Sequence, residues 1–104
     1  MIKVSVMYPN EPGARFDHTY YRDTHLPLLK QRLGLACIRY TIDKGISGAL
    51  PHSNAPYVAS CHIYSESVEV YRNAIAEHGP EIIADIANFT GLTPVVQFSD
   101  VIVG

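Results

Sequence analysis

What most constrains the fold of this chain is the order in which its apolar residues change period. Residues 2 to 8 alternate, with Ile2, Val4, Val6 and Tyr8 on one side and Lys3, Ser5 and Met7 on the other. That is the period of two expected for a strand. Pro9-Asn10-Glu11-Pro12-Gly13 ends the run, because proline cannot donate to a ladder and glycine supplies a turn. The spacing then becomes helical, through Phe16, Tyr20, Tyr21, Thr24 and Leu28, with Asp17 placed to accept from the first free N–H groups. Pro27 removes one backbone donor and clashes with the turn before it, so a kink or break is expected near His25-Leu26. A second helical piece, Leu28 to Leu33, ends at Gly34.

Alternation returns over residues 36 to 43, where Ile38, Tyr40 and Ile42 share a face, and again over Tyr57 to Tyr64, where Tyr57, Ala59, Cys61 and Ile63 do. Gly45 to Pro56, rich in Gly, Pro, Ser and Asn, is the long loop between them. Ser65 or Ser67 caps the next helix, whose stripe is Val68, Tyr71, Ala74, Ile75 and His78. Gly79-Pro80 is expected to stop it. A short helix bearing Ile82, Ile83, Ile86 and Phe89 follows, and residues 94 to 103 form the last strand. The order β-α-β-β-α-β is the split arrangement of an α+β, ferredoxin-like fold with a four-stranded antiparallel sheet. At 104 residues the chain reads as one domain, 1–104.

Two helices cover only one face of such a sheet. In the last strand, however, Val95, Val101 and Val103 oppose Val96, Phe98 and Ile102, so both faces are apolar. A second copy of the sheet is the simplest cover, which predicts a two-fold homodimer and suits a domain this small.

Charge and composition narrow the function classes. The net charge is −2 and no basic run occurs, so a nucleic-acid partner is not expected. No apolar stretch approaches the roughly 20 residues of a spanning helix, and the N-terminus reads as a strand, not a signal peptide. Cys37 and Cys61 are too few for a disulfide framework, which points to reduced thiols and the cytoplasm. His-x-x-x-His and Cys-x-x-Cys spacings, Gly-rich phosphate loops and serine elbows are all missing, so neither a metal nor a nucleotide cofactor is implied.

The stretch Phe16-Asp17-His18-Thr19-Tyr20-Tyr21-Arg22-Asp23-Thr24-His25-Leu26-Pro27-Leu28 resembles the EthD family signature F-D-x-x-Y-Y-x-x-x-H-x-P-L. Ala84-Asp85-Ile86-Ala87-Asn88-Phe89-Thr90, followed by Pro94-Val95-Val96-Gln97, is similar to the family's C-terminal pattern. The resemblance implies a dimeric α+β barrel. Related barrels include lactone isomerases, polyketide cyclases and cofactor-free monooxygenases, so it implies the fold more firmly than the reaction.

Among the residues able to carry chemistry, His25 comes first. It sits at the proline kink, four residues after Tyr21, on the border of an apolar wall. Such a site suits general acid–base work, though a histidine there can also simply bond a carbonyl freed by Pro27. Tyr20 and Tyr21 each offer a phenol to an oxygen that gains negative charge. Cys61 is a nucleophile only if a neighbouring histidine lowers its pKa, and is otherwise a small buried hydrophobe. Tyr40 and Cys61 are expected on middle strands, lining the same cleft if the register puts them on one face, and His52 lies in the long loop, where it is placed to close over a ligand. A set of His25, His52, Cys61 and Tyr40 resembles the equipment of a lactone isomerase. His62 points to the face opposite Cys61. Two functions follow. One is a cofactor-free isomerase, lyase, cyclase or monooxygenase acting on a small hydrophobic carbonyl, lactone or aromatic compound. The other is a non-catalytic small-molecule binding protein of a catabolic pathway.

Overall fold

A computed structural model describes all of residues 1–104. Strand β1 (Ile2–Pro9) leads to a short helix α1 (His18–Tyr20), a π-helical turn (Tyr21–His25) and α2 (Leu26–Leu33). Strands β2 (Arg39–Lys44) and β3 (Tyr57–Ser65) precede the long helix α3 (Val68–Asp85), and β4 (Val95–Asp100) is last. The sheet is antiparallel throughout, in the order β2-β3-β1-β4. This is the expected α+β, ferredoxin-like arrangement. No helix is long and apolar enough to cross a membrane.

The register sorts the strands into two unlike faces. Val4 pairs with Ile63 and Phe98, and Val6 with Cys61 and Val96, so these residues share the face that the helices cover. The core, including Ile2, Val4, Tyr8, Leu26, Ile63 and Phe89, lies between that face and the helices. The other face carries Lys3, Ser5, Arg39, Thr41, Asp43, Ser60, His62, Gln97 and Ser99 together with Met7, Tyr64 and Val95. It is chiefly polar, which corrects the expectation of a sheet greasy on both sides. That expectation rested on Val101 and Val103, but β4 stops at Asp100 and leaves both outside the strand.

Asp17 caps α1 as expected, its carboxylate accepting from Tyr20 N–H at 3.0 Å. The kink expected before Pro27 takes the form of the π turn, in which Leu26 N–H donates to Tyr21 O. An extra residue in the turn accommodates a proline that neither donates nor tolerates the carbonyl below it. The widened turn brings Tyr21, His25, Leu26 and Leu29 all inward, and each is buried. Gly34 ends α2 at φ 55°, the left-handed region that glycine adopts freely.

Two further expectations need correction, and one pair of alternatives is decided. Gly79-Pro80 does not stop the second helix, because α3 runs through both residues to Asp85. An internal proline costs a helix about 3 kcal/mol. Ile82, Phe89 and Leu92 beyond it are buried, and each fully buried side chain of this kind contributes about 1.5–3 kcal/mol, which together outweighs that cost. The helix cap is Ser67, whose hydroxyl accepts from Val70 N–H, whereas Ser65 belongs to β3. Strand β2 begins at Arg39, because Gly34–Ala36 forms a turn of 3-10 helix first.

Candidate active site

The site depends on how the two ends of the helical layer are tied together. Phe16 bridges Thr90, and Asp17 N–H donates to Phe89 O at 2.9 Å. Arg15 donates to the carbonyls of Ala87 and Asn88. The segment after α3 is thus clamped to the start of α1, and Asp85, the last residue of α3, is brought against the π turn. The fully buried Phe89 ring packs against Tyr8, Phe16, Tyr21 and His25, with centroids 4.6–5.8 Å away.

His25 Nδ1 lies 2.9 Å from Asp85 Oδ2. The other carboxylate oxygen accepts from Tyr20 Oη at 2.6 Å and from Asn88 Nδ2 at 2.9 Å. Burial opposes charge on Asp85, but the hydrogen bonds from Tyr20, His25 and Asn88 hold its pKa below the usual carboxylate range. For His25, burial dominates and lowers its pKa, with Asp85 opposing. At neutral pH the pair is therefore a carboxylate accepting from a neutral imidazole. The proton sits on Nδ1, and Nε2 carries the free lone pair.

His25 lines a cavity of about 400 Å³ between the helices and the covered face of the sheet. Its wall is almost entirely apolar, with Leu29, Ile63, Ile75, Ile82 and Phe98 contributing. Ile83 and Val96 also line it and are more than half exposed, so they mark its mouth. Tyr21 stacks on His25 with centroids 5.7 Å apart and rings inclined by 12°. Its hydroxyl is buried without a hydrogen-bond partner. Burial, then the Cys61 sulfur beside it, keep that phenol far above its ordinary pKa, so it stays neutral.

The six residues singled out from the sequence divide sharply. His25, Tyr21 and Cys61 line the cavity. Tyr20 stands behind His25, bonded to Asp85. Tyr40 shares the covered face with Ile63 but does not line the cavity, and its strand is an edge of the sheet, not a middle one. His52 is exposed in the loop at φ 66° and does not reach the cavity, so the four-residue set of His25, His52, Cys61 and Tyr40 is not assembled. Burial pushes the Cys61 thiol up to about 11, and no histidine acts on it. Asp85 and Asn88 belong to the C-terminal sequence pattern, which by itself gives neither a role. One signal for Asp85 was available: a carboxylate at a helix C-terminus, among Ile82, Ile83 and Ile86, faces the unfavourable end of the dipole and needs a partner.

An EthD domain matches over residues 14–93. No curated protein matches the chain. The solved structure of an EthD-like protein from Ralstonia eutropha JMP134 is 49 % identical, covering 98 % of this chain and 92 % of that one, with a TM-score of 0.96. An EthD family protein from Bacillus halodurans C-125 is 19 % identical over 96 % of this chain and 97 % of its own, with a TM-score of 0.72. A dimeric ferredoxin-like protein from an uncultured marine organism shares the fold at 10 % identity and a TM-score of 0.60, covering 100 % and 97 % of the two chains. With the motifs, the fold and these matches in agreement, the chain belongs to the EthD family.

Proposed function

We propose that this protein is a cofactor-free enzyme that moves a proton on a small hydrophobic carbonyl compound. The observation that carries this is the pairing of His25 with Asp85 at the wall of an apolar cavity. Asp85 holds the Nδ1–H, so Nε2 is the base. Low polarity around it keeps the imidazole neutral and ready to accept. A phenol of the cavity wall supplies the donor for the oxygen on which charge develops. Isomerisation, dehydration and cyclisation all need such a step.

The test is exchange of the α-protons of β-tetralone in D2O, followed by NMR. The wild-type protein is expected to accelerate exchange above buffer, and His25→Ala to remove the acceleration while keeping its circular dichroism. Equal acceleration by the variant would exclude His25 as the proton carrier. Binding of β-tetralone without any acceleration would favour the non-catalytic binding protein.

The same reading takes the working unit to be a homodimer joined through the uncovered sheet face. A dimeric ferredoxin-like relative in fold supports it, as does Val95, about half exposed on that face. Because the face is chiefly polar, hydrogen bonds and ion pairs would hold the two sheets more than apolar burial would. Sedimentation at micromolar concentration is expected to give a dimer; a stable, well-ordered monomer would contradict it.

A further inference from the structure

The Tyr20 hydroxyl is spent within the protein, on Asp85 and Asn88. Three other tyrosines, Tyr8, Tyr21 and Tyr71, line the cavity; the Tyr21 hydroxyl is sealed in against Cys61, whereas those of Tyr8 and Tyr71 bond to nothing in the protein and stay reachable from the cavity. A phenol left unpaired in an apolar wall offers its hydrogen to an acceptor that enters the space. Cys61 lies among them: it is paired with Val6 on the same sheet face as Tyr8 and lines the same cavity. Burial first, and then Cys61, hold Tyr8 and Tyr21 well above the phenol range and push Tyr71 up to about 12, so all three stay protonated. No lysine, arginine, aspartate or glutamate lines the cavity.

We propose that the hydroxyls of Tyr8 and Tyr71 form a carbonyl-binding pair, and that the cavity takes an uncharged ring ketone and rejects carboxylates. This rests on the proton-transfer reading of His25 for its reactive step. A volume of about 400 Å³ is at the small end of the roughly 300–1,000 Å³ of ligand sites, which suits one or two rings. The phenols supply acceptor-seeking hydrogens to the ketone oxygen. The α-proton passes from carbon to His25 Nε2, the C–H electron pair becomes the new C=C bond, and the C=O π pair moves onto the oxygen. Return of the proton restores the protein. A carboxylate would bring a full charge into a wall with no cation to meet it.

The probes are three compounds on one skeleton: tetralin, β-tetralone and tetralin-β-carboxylate, titrated calorimetrically into the intact protein. The ketone is expected to bind about tenfold more tightly than tetralin and about a hundredfold more tightly than the carboxylate. Tyr8→Phe and Tyr71→Phe are each expected to weaken the ketone about three- to tenfold while leaving tetralin unchanged. The tetralin titration separates loss of a donor from loss of the fold. A carboxylate that binds as well as the ketone, variants that weaken tetralin and ketone alike, or no binding of any probe would each overturn the proposal. Exchange of the α-protons distinguishes the two readings. The expected binding order without exchange would sink the base and keep the substrate class; exchange without the order would do the reverse.

Discussion

His25 and His62 each stand beside a carboxylate, on opposite faces of one sheet, and they are built differently. On the covered face, His25 is 4 % exposed and bonded to Asp85 at 2.9 Å, and Tyr20 and Asn88 fix the carboxylate in turn. On the uncovered face, His62 Nδ1 is 2.8 Å from Ser5 Oγ, and Nε2 is 3.5 Å from Asp43 Oδ2. Ser5, His62 and Asp43 have the composition of a hydrolytic triad. Yet the Asp43 side chain is 64 % exposed and the contact is too long for a firm hydrogen bond. None of the three lines the described cavity. Composition alone does not make a site. What separates the pairs is a fixed carboxylate and an apolar space in front of the ring.

Four outcomes would sharpen or break this contrast. The largest effect is expected for His25→Ala, which should lower the α-proton exchange rate by about a hundredfold or more, the size usual for a lost general base. Next is Asp85→Asn. An amide offers N–H to Nδ1 and favours the wrong tautomer, so a loss on the order of tenfold to a hundredfold is expected in kcat. Its pH profile gives a second readout. Exchange should rise with pH through the His25 pKa, which burial sets below 6.5, and then level off. Removing the Asp85 charge removes an upward influence, so the rising limb should move to still lower pH in the variant. A purely structural role for Asp85 would leave the limb in place.

The third effect concerns stability. Because folded His25 binds its proton less readily than the unfolded chain does, its stabilising contribution is fully present above about pH 6.5 and is lost as pH falls toward the folded pKa. His18 and His62 are displaced the same way, each chiefly by burial. Urea unfolding should therefore show falling stability on acidification, with a shallower slope in His25→Ala. An unchanged slope would contradict the burial assigned to His25. The smallest effect is expected for His62→Ala: exchange within about twofold of wild type, as for most substitutions away from a site. A loss matching that of His25→Ala would break the contrast outright.

Much of this was legible in the sequence, for local reasons. Alternation fixed which residues of β1 and β3 share a face, and Asp17, Pro27 and Gly34 marked the ends and the kink of the first helical unit. His25 and Tyr21 were visible for the same reason, since they lie beside that kink. Asp85 was not, because it lies 60 residues from His25 and reaches it only if α3 continues through Gly79-Pro80. That continuation depends on the tertiary burial of Ile82 and Phe89, which no local propensity reveals. His52 and Tyr40 failed to join the site for a related reason. Their distance from the cavity is set by sheet order and loop path, and neither is written in the residues themselves.

The nitrogen shifts of the His25 ring, read by NMR at neutral pH in the substrate-free protein, bear most directly on the whole picture. A protonated Nδ1 with a bare Nε2 is the result required of a base held by Asp85. A proton on Nε2, or on both nitrogens, would leave nothing in the cavity able to take one from a ligand.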